Sequence, residues 1–412
     1  MWEFVREIVL GEYIQMIVSV LALYFAILAV LQTGMGQKIL AKLPTKLLSV
    51  FEVNDERIMA VDDISKSMDV ENLPFEIRTV FFGTNRSIDD TAKDLRFTDK
   101  RSDELKTGLA EISVPQKRKL GTVKRPKALA VAGLQLWQQD EDPKKHFIIV
   151  NLKQLEQNEF CRLAQEQISC AERFENSAFL FIHGFNVTFE NALFRAAQMA
   201  HDLNFDGPAF VYSWPAVGSA ANYLTDMDSA ALAAPHLDKF IDMILKHTDV
   251  EKLHLVVHSM GNAALAKLMQ STGTKLSERQ GKSIDQLILA APDIDIGVFN
   301  QVAQHFTQHS NGVTLYACST DKALLMSKKI RNDYPRAGDV PADGPAVFPD
   351  IDTIDVSAVG TSFFAFNHSV YAEDRGVLDD IGQLMLRGEH PPSLRMPTLK
   401  FNEFGNYWVM PD

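Results

Sequence analysis

Leu253–Met269, reading L-H-L-V-V-H-S-M-G-N-A-A-L-A-K-L-M, leaves this chain few folds to choose from. The run ending at Val257 is apolar and β-branched, the composition of a strand buried on both faces of a parallel sheet. After His258-Ser259-Met260-Gly261, apolar residues recur at Ala264, Leu265, Leu268 and Met269, which is helical spacing. Ser259 therefore falls at a strand-to-helix turn. Such a turn lifts a hydroxyl above the edge of the sheet and aims the following N–H at a bound carbonyl oxygen, the arrangement a serine nucleophile needs. Gly261 meets the demand for a residue without a Cβ where strand and helix backbones converge. Val257 departs from the G-x-S-x-G pattern, which has glycine at that position.

The flanking segments repeat the same strand–loop–helix theme. Ala178–Ile182 is an apolar run followed by His183-Gly184-Phe185-Asn186, then by a helix-spaced series from Phe189 to Leu203 with Thr188 as its N-cap. A glycine after histidine at such a turn lets the next backbone N–H, that of Phe185, approach a substrate, and with the N–H of Met260 it would form an oxyanion hole. Ala209–Trp214 is a further strand, followed by a Gly/Ser/Ala-rich connection and a long helix that Pro235 interrupts or restarts. Asn222–Asp228 precedes that helix, as pocket lining or as an ordinary connection. Strands then follow at Gln286–Ala291 and Gly312–Cys318.

Alternating units of this kind predict an α/β fold, with a mostly parallel central sheet and helices on both faces. The acid of a serine triad belongs after the second strand beyond the nucleophile, where Asp321 stands; Asp293 and Asp295, one strand earlier at the same sheet edge, compete with it. The base belongs near the end of the domain, after a short strand at Thr353–Val356, and His368 fits. His305 and His309 precede the acid, and His390 lies in a proline-rich tail. The expected triad is Ser259, Asp321 and His368, with His183, Gly184 and His258 lining the same pocket.

F-I-H-G-F-N-V-T-F-E-N-A, V-Y-S-W-P-A-V-G, V-H-S-M-G-N, L-A-A-P-D-I-D and T-L-Y-A-C-S-T-D-K-A-L occur in this order. So do V-F-F-G-T-N-R at Val80–Arg86, R-A-G-D at Arg336–Asp339 and D-T-I-D at Asp352–Asp355. Together they resemble a mostly bacterial family of α/β-hydrolase proteins, long catalogued as a domain of unknown function and often labelled esterase/lipase-like. The resemblance covers roughly residues 75–385 and implies an α/β-hydrolase fold with a serine nucleophile at Ser259 and oxyanion donors near Phe185 and Met260. It carries no substrate.

The amino terminus reads differently. Tyr13–Leu31 is apolar, with no charge between Tyr13 and Gln37, long enough to span a bilayer as a helix. A cleaved signal peptide is the alternative, but Glu3, Glu7 and Glu12 precede the run and no A-x-A-like site follows. Arg6 on one flank against Lys38, Lys42 and Lys46 on the other turns the large domain to the cytoplasm of a single-pass inner-membrane protein. The domain reading is an anchor over 1–46, a strand-containing extension over 47–151, a catalytic core over 152–390 and a tail over 391–412.

Other classes are disfavoured. A formal charge of −12 argues against general nucleic-acid binding. Three scattered cysteines make neither a disulfide framework nor a metal site and fit a reducing compartment. No metal or organic cofactor is implied. Six cations between Lys117 and Lys127 read as a solvated loop, with anionic lipid contact as the alternative. Tyr334–Pro349 reads as a lid or a long connection. The expected activity is hydrolysis of small-molecule or lipid-derived acyl esters. A non-catalytic membrane-tethered module that binds a protein partner competes with it, motivated by Val257 and by the length of Leu47–Asn151.

Overall fold

The computed structural model describes residues 74–126, 128–131, 134–217, 222–271, 283–359 and 376–411. The expected transmembrane segment and His368 lie outside the described residues. Among the described residues, no helix is long and apolar enough to cross a membrane.

The chain opens with two long strands, β1 (Phe75–Ile88) and β2 (Phe97–Pro115). A separate antiparallel ribbon follows, β3 (Ala128–Val131) with β4 (Leu134–Gln138). Next come β5 (Ile148–Gln154), α1 (Gln157–Cys170), β6 (Ser177–Ile182), α2 (Phe189–Asp202) and β7 (Ala209–Ser213). Two helices, α3 (Tyr223–Leu232) and α4 (Ala234–His247), lead to β8 (Lys252–His258) and α5 (Gly261–Gln270). The series continues with β9 (Ile284–Ala290), α6 (Ile296–His309), β10 (Ser310–Ala317), α7 (Lys322–Ile330), β11 (Asp352–Asp355) and α8 (Gly376–Arg387), and ends with β12 (Lys400–Asn402) and β13 (Tyr407–Val409). Pro235 stands in the first turn of α4, where its missing N–H costs nothing, so α3 stops and α4 restarts there.

Eleven of the strands form one sheet in the order β12-β13-β11-β10-β9-β8-β6-β7-β1-β2-β5. From β13 to β1 all neighbours are parallel; β12, β2 and β5 add antiparallel pairings at the two ends. The mostly parallel α/β architecture read from the sequence is thus present. Alternation along the strands divides the core in two. Leu180, Ile182, Leu255 and Val257 join the apolar faces of α1, α3, α4, α5 and α6, whereas Phe179, Phe181 and Val256 join those of α2 and α8. Burying each such large side chain contributes roughly 1.5–3 kcal/mol. Both faces are covered, which is why these strands are apolar throughout rather than alternating with polar residues.

The topology places the site. β6 lies between β7 and β8, so the chain passes from one side of β6 to the other between those two strands. At such a reversal the loops leaving the carboxyl ends part and open a crevice. The loop after β6 carries His183 and Gly184; the turn after β8 carries Ser259.

Candidate active site

Ser259 has φ 49°, a left-handed backbone that costs a non-glycine residue on the order of 1–3 kcal/mol. The surroundings impose it. The Ser259 N–H donates to the Ala290 carbonyl at 2.9 Å, and the Ser259 carbonyl accepts from the N–H groups of Asn262 at 3.1 Å and Asp293 at 3.2 Å. The Asn262 side-chain amide donates to the same carbonyl at 2.9 Å and to the Val257 carbonyl at 3.2 Å. Val257 pairs in register with Ile182 and Leu289 and is wholly buried, so the turn forms with valine where the general pattern has glycine. The Ser259 hydroxyl is buried and has no hydrogen-bond partner among the described residues.

Two glycines let the loops close on this turn. A Cβ on Gly184 would stand 2.8 Å from the Ser259 Cβ and 2.9 Å from His258 Nδ1. A Cβ on Gly261 would stand 2.6 Å from the His183 carbonyl oxygen and 3.0 Å from that of Ile182. Both positions therefore require glycine, and the His183-Gly184 loop lies directly against the serine. Met260 and Gly261 open α5, where the first N–H groups have no intrahelical acceptor. Phe185 is partly exposed at the same place, and Asn186 after it takes φ 57°.

The three aspartates have distinct settings. Asp295 is the N-cap of α6, its carboxylate accepting from the N–H groups of Gly297 at 2.8 Å and Val298 at 3.3 Å. Asp293 is buried in a closed network. Its Oδ1 accepts from Arg336 Nε at 2.8 Å and Ser327 Oγ at 2.5 Å, its Oδ2 accepts from the Tyr223 hydroxyl at 2.7 Å, and Arg336 Nη2 donates to its carbonyl at 3.0 Å. Burial, with the Asp293 charge beside it, pushes the Tyr223 phenol up to about 12. Asp321 stands at the start of α7, its Oδ1 accepting from the Leu324 N–H at 3.0 Å, and its charge acts on His258. Burial holds His258 down at about 4; Asp321 opposes that shift and Arg195 adds to it. Ser259, His258, Gly184 and Asp321 are thus neighbours at the sheet edge, while Asp293 and Asp295 are occupied in holding loops.

Arg336 has a large expected role in stability. Replacing it with methionine leaves the Asp293 carboxylate buried without its counter-charge, and removing one partner of a buried pair costs about 3–5 kcal/mol. The urea-unfolding midpoint of Arg336→Met measures this; an unchanged midpoint contradicts it. Arg336 also begins the R-A-G-D segment. A Cβ on Gly338 there would meet Ala291 and Pro292 backbone atoms within 2.8 Å, and the Gly338 carbonyl accepts from the Cys318 N–H at 2.9 Å. The first part of Tyr334–Pro349 is accordingly a pinned connection between the loops after β9 and β10.

Several residues around the site were not singled out by sequence reasoning: Arg86, Ser213, Trp214, Tyr223, Asn262 and Arg336. The short motifs containing most of them were visible, but apart from Asn262, whose amide bonds carbonyls three and five residues away, their partners lie far along the chain. Among the cations of residues 117–127, Arg118 is not a solvated charge, since it pairs with Asp202. No group of three or more His, Cys, Asp or Glu among the described residues is arranged to hold a metal ion.

Residues 162–386, more than half of the chain, match the family described as alpha/beta hydrolase of unknown function (DUF900). No curated protein matches the chain.

Proposed function

The chain belongs to this alpha/beta hydrolase family of unknown function, and from that footing we propose that it is a serine hydrolase cleaving carboxylic esters through Ser259, His368 and Asp321. The observation that carries this reading is the buried Ser259 hydroxyl held at positive φ against Gly184 and without a hydrogen-bond partner among the described residues. A strained serine at the carboxyl end of a central strand is stability given up for chemistry.

In the proposed mechanism His368 takes the proton from Ser259 as its oxygen attacks the ester carbonyl. Asp321 fixes the imidazole tautomer and stabilises the cation that forms. The N–H groups of Phe185 and Met260 hold the developing oxyanion, each worth roughly 3–4 kcal/mol in a comparable hydrolase. Collapse of the tetrahedral intermediate expels the alcohol, which takes the proton from His368; water then releases the acid by the same route. No cofactor enters these steps. If Tyr13–Leu31 anchors the chain with the large domain on the cytoplasmic side, the substrates within reach are lipid-derived or other membrane-near acyl esters.

Labelling with a fluorophosphonate followed by peptide mapping tests the proposal. The expected adduct is on Ser259, and it disappears in His368→Ala. A folded protein that takes no adduct overturns the reading.

A further inference from the structure

Two motifs remain without a role in the proposed chemistry: Asn85-Arg86 at the end of β1 and Ser213-Trp214 at the end of β7. Both converge on His183. The imidazole is wholly buried and stacked on the Trp214 ring, with centroids 4.8 Å apart and planes 19° apart. Its Nδ1 lies 2.8 Å from the Gly184 carbonyl oxygen, and its Nε2 lies 3.1 Å from the Trp214 carbonyl oxygen and 3.3 Å from Ser213 Oγ. Trp214 Nε1 in turn donates to the His183 carbonyl at 2.8 Å.

Only one ring nitrogen can carry a proton in this setting. Burial, reinforced by the Arg86 charge, holds His183 down at about 3, so the ring is neutral at working pH. Arg86 Nε donates to Ser213 Oγ at 3.0 Å, which leaves the serine hydrogen free to go to His183 Nε2. That puts the ring proton on Nδ1, where it makes the shorter contact, to Gly184. Each tautomer sets one lone pair against a carbonyl oxygen, Nε2 against Trp214 at 3.1 Å or Nδ1 against Gly184 at 2.8 Å; the first is the longer contact, and only there does a hydroxyl, that of Ser213, stand ready to donate to the lone pair. Arg86 is itself fixed by the carbonyls of Val187 at 2.8 Å, Thr98 at 3.3 Å and Ala216 at 3.5 Å.

The Gly184 carbonyl shares its peptide plane with the Phe185 N–H, and in a trans peptide the two point in opposite directions. Fixing one fixes the other. We infer that His183 is a positioning residue that aims the Phe185 N–H into the oxyanion hole, and that Arg86, acting through Ser213, selects the tautomer that does so. This rests on the serine-hydrolase reading for its kinetic consequence, but not for its tautomer.

The test has two arms. In the first, nitrogen NMR of the wild-type protein reads the His183 ring directly, and a proton on Nδ1 is expected. A proton on Nε2 overturns the inference even if the protein has no activity. In the second arm, p-nitrophenyl acyl esters serve as probes for His183→Asn, His183→Gln and His183→Ala. The asparagine amide can occupy the Nδ1 position and donate to Gly184, whereas glutamine reaches the Nε2 position. His183→Gln and His183→Ala should lose about 10²–10³-fold in kcat with little change in KM, the loss seen when an oxyanion donor is removed. His183→Asn should stay within about tenfold of wild type. The pH profile should keep both limbs in every variant, because His183 transfers no proton. Equal loss in all three variants, rescue by glutamine, or a lost limb overturns the inference. Failure of the wild-type protein to label at Ser259 would instead remove the parent reading.

Discussion

Replacing Ser259 with alanine or glycine is expected to abolish ester turnover, and the glycine variant, against the usual trend for a buried position, is expected to be the more stable of the two. The two effects have separate causes. Turnover depends on the nucleophile, and knocking out the serine of a comparable triad costs about 10⁶-fold in kcat. Stability depends on what the hydroxyl contributes and the backbone costs in the folded state. In the proposed triad the hydroxyl bonds to His368, an interaction worth about 0.5–1.5 kcal/mol that alanine and glycine both lose. Glycine at the same position also removes the strain of φ 49°. It loosens the unfolded chain, which offsets part of the gain by about 0.5–1 kcal/mol. The expected order of thermal midpoints is therefore Ser259→Gly above Ser259→Ala. Calorimetry of the three proteins with parallel turnover assays checks it. A Ser259→Gly midpoint at or below that of Ser259→Ala would mean the backbone at Ser259 is not strained, and the case for a nucleophile held ready at a cost in stability would fall.

The contrast between Ser259 and the aspartates shows how far local pattern reaches. The strand–serine–helix turn, the His183-Gly184 loop and the parallel units around them are written in contiguous residues, because each unit's periodicity switches within a few positions. Two of the groups that hold the Asp293 carboxylate, Arg336 and Tyr223, are 43 and 70 residues away in sequence. No spacing rule joins them. Asp295 is different: an aspartate directly before an apolar helical run is an N-cap signal, and its capping role could have been read. The sheet edges were the least legible part. The first half of β2, T-D-K-R-S-D-E, carries no apolar pattern, yet Arg101 pairs with Arg86 and Phe97 with Ile88 in the ladder. Edge strands with one solvated face carry charge to discourage pairing with other chains, which hides them from an apolar pattern. At the other end the short β12 and β13, K-F-N and Y-W-V, continue the sheet from residues read as a tail; there it is their length of three residues each that hides them.

Acid should destabilise this protein well before its carboxylates titrate, and His183 is the first reason. Burial holds His183 at about 3 and His254 and His258 at about 4 in the folded chain, against 6.5 for an ordinary histidine. The unfolded chain therefore binds protons below pH 6.5 that the folded chain refuses. The stability these groups allow is fully present above pH 6.5 and is lost as pH falls towards 4 and 3. At pH 5 each such histidine costs roughly 2 kcal/mol, from 1.36 kcal/mol per pH unit over the 1.5 units below the ordinary value. His254 has the Asp285 carboxylate 3.5 Å away and His258 feels Asp321, so both can be protonated in place more readily than His183. His183 faces the Arg86 guanidinium instead. The three together are expected to remove on the order of 4–6 kcal/mol between pH 7.5 and pH 5, comparable to the whole stability of a marginal domain. Urea unfolding across that range should show free energy falling with a slope that approaches two to three protons taken up on unfolding. In His183→Asn the slope should drop by about one proton, since that variant keeps the donor to Gly184 but has no ring to titrate. Constant stability from pH 7.5 to pH 5 would mean that the folded chain protonates these rings in place and would overturn this account of its acid sensitivity.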